Sequence, residues 1–248
     1  LNRDKGKLNE TDFVNCDICN NKGIIYKIKD NHIVVGDCSC RAKRRLIRSL
    51  RDSGINPQNI SPYIVTERWQ HTIKERAEQY INEDDLSAWF YIGGQSGSGK
   101  TLICYHIIES IIEKVGGDFQ FFSWRDVATE LKANVNDYTY YNQRIAPFKN
   151  SKLLYIDDLF KTGKRNDPTQ ADINLAFDII NSRYRANAPT IISSELTMDE
   201  LIKIDEAVAG RIAEMTKGRY VLSINPDSKK NYRFNKLRKE EWVKIKRI

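Results

Sequence analysis

One octapeptide restricts the folds open to this chain of 248 residues more than any other feature. The run from Gly94 to Thr101 matches the pattern G-x-x-x-x-G-K-[ST] at every fixed position. A strand-like, aromatic-rich run over 88–92 precedes it, and apolar residues recur at helical spacing over 102–115. A glycine-rich turn between a strand and a helix points backbone N–H groups at phosphates. The sequence therefore predicts a phosphate-binding loop, the P-loop, formed by Gly94, Gln95, Ser96, Gly97, Ser98, Gly99, Lys100, Thr101 and Leu102.

Two acids follow a strand-like run and supply the carboxylates that a P-loop nucleotide site needs. Residues 153–156 are strand-forming and end in Asp157 and Asp158. In an ATP site, Lys100 would reach the β- and γ-phosphates, and the hydroxyl of Thr101 would bind Mg²⁺. Asp157 would also hold Mg²⁺, and Asp158 would polarise the attacking water. Each motif has an alternative: the glycine-rich turn could match by chance, and the buried strand could end in solvated acids. The occurrence of both motifs in one chain favours an ATP·Mg²⁺ site.

Composition and charge narrow the class of protein. Apolar residues make up 40% of the chain and charged residues 29%, which is typical of a soluble globular protein. No run of 18 apolar residues exists, so the sequence predicts no membrane span, and the use of ATP favours the cytoplasm. The net charge of +7, with the basic residues in clusters, favours a polyanionic partner.

Four of the five cysteines lie close together in the sequence, as Cys16-x-x-Cys19 and Cys38-x-Cys40. Between the two pairs, residues 23–28 and 32–35 are typical of the strands of a β-hairpin. Two thiolate pairs at the ends of a hairpin can converge on a tetrahedral Zn²⁺ with no open position, so the predicted role is structural. The alternative is two disulfides, which the reducing interior of a cell disfavours.

The order of the predicted elements divides the chain into three segments. Residues 1–52 would form the zinc module with a basic helix, 53–87 a linker and a second helix, and 88–248 an α/β domain. In the last segment strands and helices alternate, which predicts a parallel sheet with helices on both faces. The predicted strands cover 88–92, 119–123, 153–156, 190–193 and 219–224, and the predicted helices cover 102–115, 126–133, 171–184 and 197–216.

Further runs in the last segment carry a family resemblance. Residues 153–159 (LLYIDDL) are similar to a Walker B motif, 189–194 to a sensor-1 strand, and 210–215 to a box that carries an arginine finger. With the cysteine pairs, these motifs resemble the bacterial and phage replicative-helicase loaders of the DnaC/DnaI type, in the AAA+ superfamily. The resemblance implies a three-layer αβα ATPase domain with a five-stranded parallel sheet, and a small amino-terminal zinc-binding β-hairpin module.

The resemblance also implies an arginine finger and reveals one departure. Arg211 would complete the ATP site of a neighbouring subunit, although a helix-surface arginine paired with Glu214 fits the sequence too. The family usually has Asn directly after the sensor-1 serine or threonine, whereas this chain has Glu195. An ionised carboxylate cannot donate a hydrogen bond to the attacking water. Ser194 could substitute for the missing amide, or hydrolysis could be slow.

A stretch of aromatic and basic residues before the Walker B motif is the candidate nucleic-acid surface. Tyr138, Tyr140, Tyr141 and Arg144 lie where the family carries a helical insertion that lines a DNA path. Aromatic and cationic side chains suit stacking with single-stranded bases. The alternative is that the tyrosines pack on the core.

The carboxyl-terminal tail is a second basic region. From Lys229 to Arg247 it has nine basic residues against two acids, and it could neutralise phosphates. Arg233 could act as a second nucleotide sensor or be a solvated tail residue. Charge runs are often only solvated, so the tail alone does not establish a nucleic-acid partner.

The resemblance implies an ATP-dependent helicase loader with the cofactors ATP, Mg²⁺ and Zn²⁺. Such a protein would bind a DnaB-type hexameric replicative helicase through its amino-terminal part and would self-associate through its ATP sites. It would also bind single-stranded DNA during the initiation of replication, with slow, assembly-dependent ATP hydrolysis. Two alternatives stay open: an IstB-type transposition helper ATPase, and a nucleotide-gated adaptor that scarcely hydrolyses ATP.

Overall fold

The chain divides into two compact units. One comprises Leu1–Ser61 and Ile108–Phe119, and the other comprises Pro62–Ile107 and Gln120–Ile248. Arg233, most of the basic tail and part of the predicted linker lie outside the described residues. In this computed structural model the described residues are 5–12, 14–52, 63, 65–112, 114–115, 118–161 and 168–232.

The first unit contains the predicted β-hairpin, and a helix lies on each side of it in the sequence. Asp30 and Asn31 connect its two antiparallel strands and have φ angles of 49° and 62°. Asp and Asn tolerate positive φ, which a two-residue turn of type I′ requires at both positions. The bounds are α1 (Leu8–Asp12), β1 (Ile24–Lys29), β2 (His32–Asp37) and α2 (Cys40–Asp52), so the predicted basic helix is present as α2.

Five strands, all in the second unit except for Phe119, follow: β3 (Phe90–Gly94), β4 (Phe119–Ser123), β5 (Leu153–Leu159), β6 (Thr190–Ser194) and β7 (Val221–Ile224). They form one parallel sheet in the order β4-β5-β6-β3-β7. The strand before the P-loop, β3, pairs with β6 and β7, and the Walker B strand β5 pairs with the other side of β6. Because the carboxyl ends of parallel strands meet at one edge, the P-loop lies beside the acids of β5, and the hydroxyl of Thr101 is 3.4 Å from Asp157. The predicted α/β P-loop fold is confirmed.

Helices connect these strands and supply the other half of the core. Trp89, Phe122, Ile156, Ile179 and Ile192 belong to one buried apolar cluster made by strands and helices together. Within the described residues, no helix is both long and apolar enough to cross a membrane. A π-helical turn (Trp124–Ala128) leads into α5, and the bounds are α3 (Arg68–Ile81), α4 (Lys100–Ile111), α5 (Thr129–Ala133), α6 (Tyr138–Asn150), α7 (Gln170–Arg185), α8 (Met198–Ile204) and α9 (Glu206–Met215).

One predicted helix is wrong in its extent. The single helix expected over 197–216 is two helices, α8 and α9, separated at Asp205. Asp205 has an extended backbone, and its side chain accepts a hydrogen bond from the backbone N–H of Val208. Asp is a favoured N-cap residue, so it begins α9 by satisfying a free N–H group of the first turn. The apolar periodicity continues across this break, and only the cap signals it.

A buried arginine joins α7 to the end of α6, to Ser151 before β5 and to the start of β6. The guanidinium of Arg183 donates hydrogen bonds to the hydroxyl of Thr190 at 2.8 Å and to the carbonyls of Phe148 at 3.0 Å and Ser151 at 2.9 Å. Its side chain is fully buried. The five donors of arginine lie in a fixed fork, so one side chain satisfies buried acceptors from separate chain segments.

We expect Arg183→Leu to lower the free energy of unfolding by about 3 kcal/mol or more, because it leaves several buried carbonyls without donors. Urea titration followed by circular dichroism measures this change. The control is Arg185→Leu, at an exposed position of the same helix, which should stay within about 0.5 kcal/mol of wild type. Equal effects of the two substitutions would show that the hydrogen bonds of Arg183 add nothing.

Candidate nucleotide site and cysteine cluster

The P-loop lies tightly against the end of β7 and the segment that follows it. Gly94 and Gly97 have φ angles of 101° and 71°, which side-chain-bearing residues rarely adopt. A Cβ on Gly94 would lie 2.1 Å from the carbonyl oxygen of Ile224, and one on Gly97 would lie 2.2 Å from the side chain of Asn231. Only glycine fits at these two positions. The loop therefore has the backbone cradle that a triphosphate requires.

Lys100 is buried inside this loop. Its ammonium donates hydrogen bonds to the carbonyl oxygens of Gly94 at 2.7 Å and Gln95 at 2.9 Å. Burial lowers the pKa of Lys100, and the nearby carboxylates of Asp158 and Glu195 oppose that shift. The loop thus holds a cation where the phosphate-binding lysine was predicted.

Asp157 lies near the carboxyl end of β5 within a network of hydroxyl groups. Its Oδ1 accepts hydrogen bonds from Tyr155 at 2.5 Å, Ser193 at 2.7 Å and Thr101 at 3.4 Å. Burial raises the pKa of Asp157, the charge of Asp158 adds to this rise, and the hydroxyls of Tyr155 and Ser193 oppose it. A hydroxyl and a carboxylate that converge in this way supply oxygen ligands of the kind that Mg²⁺ prefers.

Ser193, which the sequence analysis missed, is the serine that contacts the Walker B carboxylate. Its hydroxyl donates to Asp157 and accepts a hydrogen bond of 3.0 Å from the backbone N–H of Asp158. The predicted Ser194 is fully buried, and its hydroxyl donates to the carbonyl of Leu159 at 2.8 Å. Consecutive side chains of a strand point to opposite faces, so the register of β6 decides which serine reaches the site.

Asp158 and Glu195 share one lysine, which the sequence analysis also missed. The ammonium of Lys161 lies 2.8 Å from Oδ2 of Asp158 and 2.9 Å from Oε1 of Glu195. Burial would lower the pKa of Lys161, but hydrogen bonds and charge from the two acids raise it overall. Burial would raise the pKa of Glu195, but the contact with Lys161 lowers it overall. The only sequence signal was the spacing of Asp158 and Lys161 by three residues.

Aromatic side chains lie beside the glycine loop. The ring of Tyr63 is 3.3 Å from the position that a Cβ on Gly99 would take. Trp69 and Tyr232 are stacked with ring centroids 6.3 Å apart, and the backbone N–H of Tyr232 bonds the carbonyl of Gly97. The buried hydroxyl of Tyr63 has no hydrogen-bond partner among the described residues. The glycine loop is therefore bordered by Tyr63 on one side and joined to Tyr232 by a backbone hydrogen bond.

Arg211 is held within its own unit by neighbours on α7 and α9. Its guanidinium donates to Oδ1 of Asn181 at 3.0 Å and to the carbonyl of Ala207 at 2.9 Å. The same group lies 4.7 Å from the ring centroid of Phe177. Glu214, the alternative partner considered from the sequence, instead accepts hydrogen bonds from the hydroxyl of Tyr184.

The four residues predicted to contact nucleic acid lie on α6 in different environments. Arg144 and the hydroxyl of Tyr140 both bind the carboxylate of Glu130, at 2.7 Å and 2.5 Å. Tyr141 is partly buried against the apolar core, whereas Tyr138 is 80% exposed. The structure therefore brings Tyr140 and Arg144 together on an acid and presents Tyr138 to solvent.

Cys16, Cys19, Cys38 and Cys40 form the cysteine cluster of the first unit. Their sulfur atoms all lie within 4.8 Å of one another. The Sγ atoms of Cys16 and Cys38 are 3.7 Å apart and those of Cys19 and Cys40 are 3.6 Å apart, whereas a disulfide requires about 2.05 Å. Zn–S bonds of about 2.3 Å in a tetrahedron give sulfur–sulfur separations close to these values. The cluster could therefore hold a metal ion.

Arg44 links this cluster to the rest of the first unit. Its side chain is buried, its Nε lies 3.4 Å from Sγ of Cys40, and its NH1 lies 2.5 Å from Oδ1 of Asp12. Burial raises the pKa of Cys40 to about 12 despite the opposing hydrogen bond from Arg44. Three of the four cysteines are buried, and clustered thiolates need a compensating cation, which a bound metal ion would supply.

Comparison with known proteins identifies relatives along most of the chain. The model of a family described as IstB-like ATP binding protein matches residues 18–233. The protein XkdC of the phage-like element PBSX in Bacillus subtilis (strain 168) is 26% identical, over 95% of this chain and 92% of XkdC. The uncharacterised protein YqaM of the same strain is also 26% identical, over 77% of this chain. The match spans only 63% of YqaM, less than two thirds of its length.

Solved structures confirm the fold. A crystal structure of DnaI has a TM-score of 0.53 and 22% identity, covering 68% of this chain and 93% of that chain. A structure of the replication initiator DnaA, bound to AMPPCP and single-stranded DNA, has a TM-score of 0.51 and 22% identity. That match covers 74% of this chain and 56% of the DnaA chain. The predicted likeness to DnaI-type AAA+ proteins is therefore confirmed for the fold.

We expect Lys100→Ala to weaken the binding of a fluorescent ATP analogue at least about tenfold, because it removes charge-assisted hydrogen bonds to phosphate. Equilibrium titration measures the affinity. Lys203→Ala, which removes an exposed lysine of the same unit, is the matched control and should leave the affinity unchanged. Wild-type affinity in Lys100→Ala would exclude the P-loop as the nucleotide site.

We also expect the purified protein to contain close to one zinc ion per chain, and Cys38→Ser to lose it, because the cluster needs four thiolates. Elemental analysis by mass spectrometry measures the metal. Cys104→Ala changes the one cysteine outside the cluster, so it should keep the zinc. Metal-free protein with two disulfides would contradict the assignment.

Proposed function

We propose that this chain, which belongs to the family of IstB-like ATP-binding proteins, is an ATP-dependent loader of a DnaB-type hexameric replicative helicase. One observation carries the proposal: an ATP site on a DnaI-like fold occurs in the same chain as a separate unit with a cysteine cluster. A loader has to bind a helicase and single-stranded DNA at once, in the cytoplasm, during the initiation of replication. Linking two binding sites raises the effective concentration of each partner near the other.

ATP and Mg²⁺ would control this activity at the P-loop. Lys100 would bind the β- and γ-phosphates, Thr101 and Asp157 would hold Mg²⁺, and Asp158 would orient the attacking water. Asp158 is already ion-paired with Lys161, which supports slow hydrolysis in a single subunit. These proposed catalytic roles are supported by the cluster of side chains that the P-loop and the ends of β5 and β6 carry.

Arg211 would make ATP hydrolysis depend on self-association. It lies on α9, partly exposed, with its guanidinium over the ring of Phe177. In the proposed assembly this cation reaches the γ-phosphate held by a neighbouring subunit, so the ATP sites join the subunits. Because the finger acts only between subunits, hydrolysis per subunit would rise with protein concentration.

The cysteine cluster would hold Zn²⁺ in a structural role, and the hairpin beside it would contact the helicase. On one face of the hairpin, Ile28 and Ile33 are paired across the strands and are 80% and 60% exposed. Tyr26 and Val35 continue the same apolar face. Exposed, contiguous apolar residues on a small unit are typical of protein–protein contact.

Single-stranded DNA would bind along α6. Tyr138 is free to stack on a base, and Tyr140, Tyr141 and Arg144 lie on the same helix. Glu130 now neutralises Arg144, so a phosphate would have to replace that carboxylate. DNA contact at this helix would therefore be salt-sensitive.

Two other functions have an observation in their favour. The family model itself favours an IstB-type transposition helper ATPase, which would act on duplex DNA with a transposase. Glu195 in place of the sensor-1 amide favours a nucleotide-gated adaptor with little hydrolysis. The separate cysteine unit favours the loader over both.

We expect the full chain with ATP to bind a DnaB-type hexamer and to stimulate helicase loading on circular single-stranded DNA. The double variant Ile28→Asp, Ile33→Asp should bind the helicase at least about tenfold more weakly, because charges replace the apolar contact. Affinity is measured by light scattering or surface plasmon resonance, and loading by strand displacement on a circular template.

The matched control is Lys29→Asp with His32→Asp, the next pair along the hairpin and on its opposite face. This control should retain helicase binding and ATP-analogue binding. A full chain that ignores such helicases and prefers duplex DNA would favour the transposition helper, and one that binds the helicase without hydrolysing ATP would favour the adaptor.

A further inference from the structure

Lys161 lies between two acids just after β5, at the carboxyl end of the sheet that carries the P-loop. Its ammonium makes contacts of 2.8 Å with Asp158 and 2.9 Å with Glu195, and all three side chains are partly exposed, at 30%, 29% and 20%. An ammonium has three N–H donors, and among the described residues two of them have partners. The third donor is therefore available to a ligand.

The backbone holds Lys161 at this position by an irregular end to β5. The register between β5 and β6 shifts between Ile156 and Leu159, and Asp158 and Phe160 have φ angles of 57° and 66°. The backbone N–H of Lys161 then bonds the carbonyl of Asp158 at 2.9 Å. Positive φ at non-glycine residues costs free energy and persists where the surrounding structure fixes it. The bulge therefore fixes the lysine beside the site.

The charges around Lys161 explain why a lysine is needed there. Its ion-pair partners are Asp158 from β5 and Glu195 from the loop after β6, and the buried Lys100 of the P-loop senses the charges of all three. Asp157 also senses the charge of Lys161, and Lys161 itself borders a cavity that Lys132 and Asp172 line. An ionised Glu195 has no donor for a phosphate oxygen and repels the phosphate charge. An ammonium bound to that carboxylate supplies both the missing donor and the missing positive charge.

We propose that Lys161 recognises the γ-phosphate of bound ATP in place of the sensor-1 amide, and that Glu195 is the residue that positions it. The inference rests on the proposed ATP site and deepens it, but it is independent of helicase loading. Lys161 contributes a donor and a cation from the same subunit, next to Asp158. ATP is thereby distinguished from ADP by a pair of residues, Lys161 and Glu195, that replaces a single amide.

A purely structural role for the ion pairs predicts something different. If Lys161 only held Asp158 and Glu195 together, its removal would change the affinities for ATP and ADP by the same factor, or lower the thermal stability alone. If Lys161 only blocked Asp158, its removal would improve discrimination or hydrolysis. A γ-phosphate contact instead lowers the affinity for a triphosphate and spares ADP.

The test is the ratio of the affinities for AMPPNP and ADP, measured by isothermal titration with Mg²⁺ on the full chain. This ratio needs no hydrolysis. We expect Lys161→Gln to lower it about tenfold or more, as the loss of a charge-assisted hydrogen bond to phosphate should. Lys161→Arg retains the charge and the donors and should stay within about threefold of wild type. Thermal unfolding of each variant shows whether it is folded.

The role of Glu195 is tested by making Lys161→Gln in a chain that already carries Glu195→Asn. In Glu195→Asn the side chain has its own amide donor, so adding Lys161→Gln should change the ratio by less than about threefold. An unchanged or raised ratio in Lys161→Gln overturns the proposal, and an equal fall in both backgrounds overturns the role of Glu195. A wild-type chain that binds neither nucleotide would overturn the ATP site as well, whereas failure to bind a helicase would affect only the loader.

Discussion

Charge balance at the carboxyl ends of the parallel strands is the constraint on which the nucleotide site depends. Two cations, Lys100 and Lys161, lie among three acids, Asp157, Asp158 and Glu195, in one partly buried region. Buried charges are tolerated only when they are compensated: Lys161 is ion-paired with both acids, and Lys100 donates hydrogen bonds to two backbone carbonyls. A triphosphate with its Mg²⁺ brings new charges of both signs into this region, so the existing ion pairs have to rearrange when it binds. The same ion pairs would thus determine both the chemistry of the site and its response to nucleotide.

The first unit has a different candidate for its stabilising interaction. One buried cluster of this unit is formed by Cys19, Cys38 and Cys40, with Cys16 and Ile25 packed against it. Its sulfur separations fit a tetrahedral metal and are longer than a disulfide bond. Metal binding to such a cluster contributes directly to the free energy of folding. Metal binding and folding would therefore be coupled there, and the exposed apolar face of the hairpin would be presented on a rigid support.

The sequence predicted the P-loop, the Walker B acids and the parallel sheet because each has a local signal. Glycines at fixed spacing, a lysine and two acids after an apolar strand specify their own surroundings. Ser193 and Lys161 were missed because their positions depend on strand register and on a bulge, which arise from pairing between distant segments. The break at Asp205 was missed because apolar periodicity continues through it. The surroundings of Tyr140 and Arg144 could not be predicted, since Glu130 belongs to another helix.

The central claim is that ATP acts between subunits, and hydrolysis by mixed subunits tests it most directly. Arg211→Ala keeps its own Asp158, and Asp158→Asn keeps its own Arg211, so each variant alone forms only defective sites. In a mixture, some interfaces combine the intact Asp158 of one subunit with the intact Arg211 of the other. Phosphate release should therefore recover on mixing the two inactive proteins and should rise with total concentration. A mixture as inactive as its parents, together with wild-type hydrolysis per subunit that does not depend on concentration, would contradict the account.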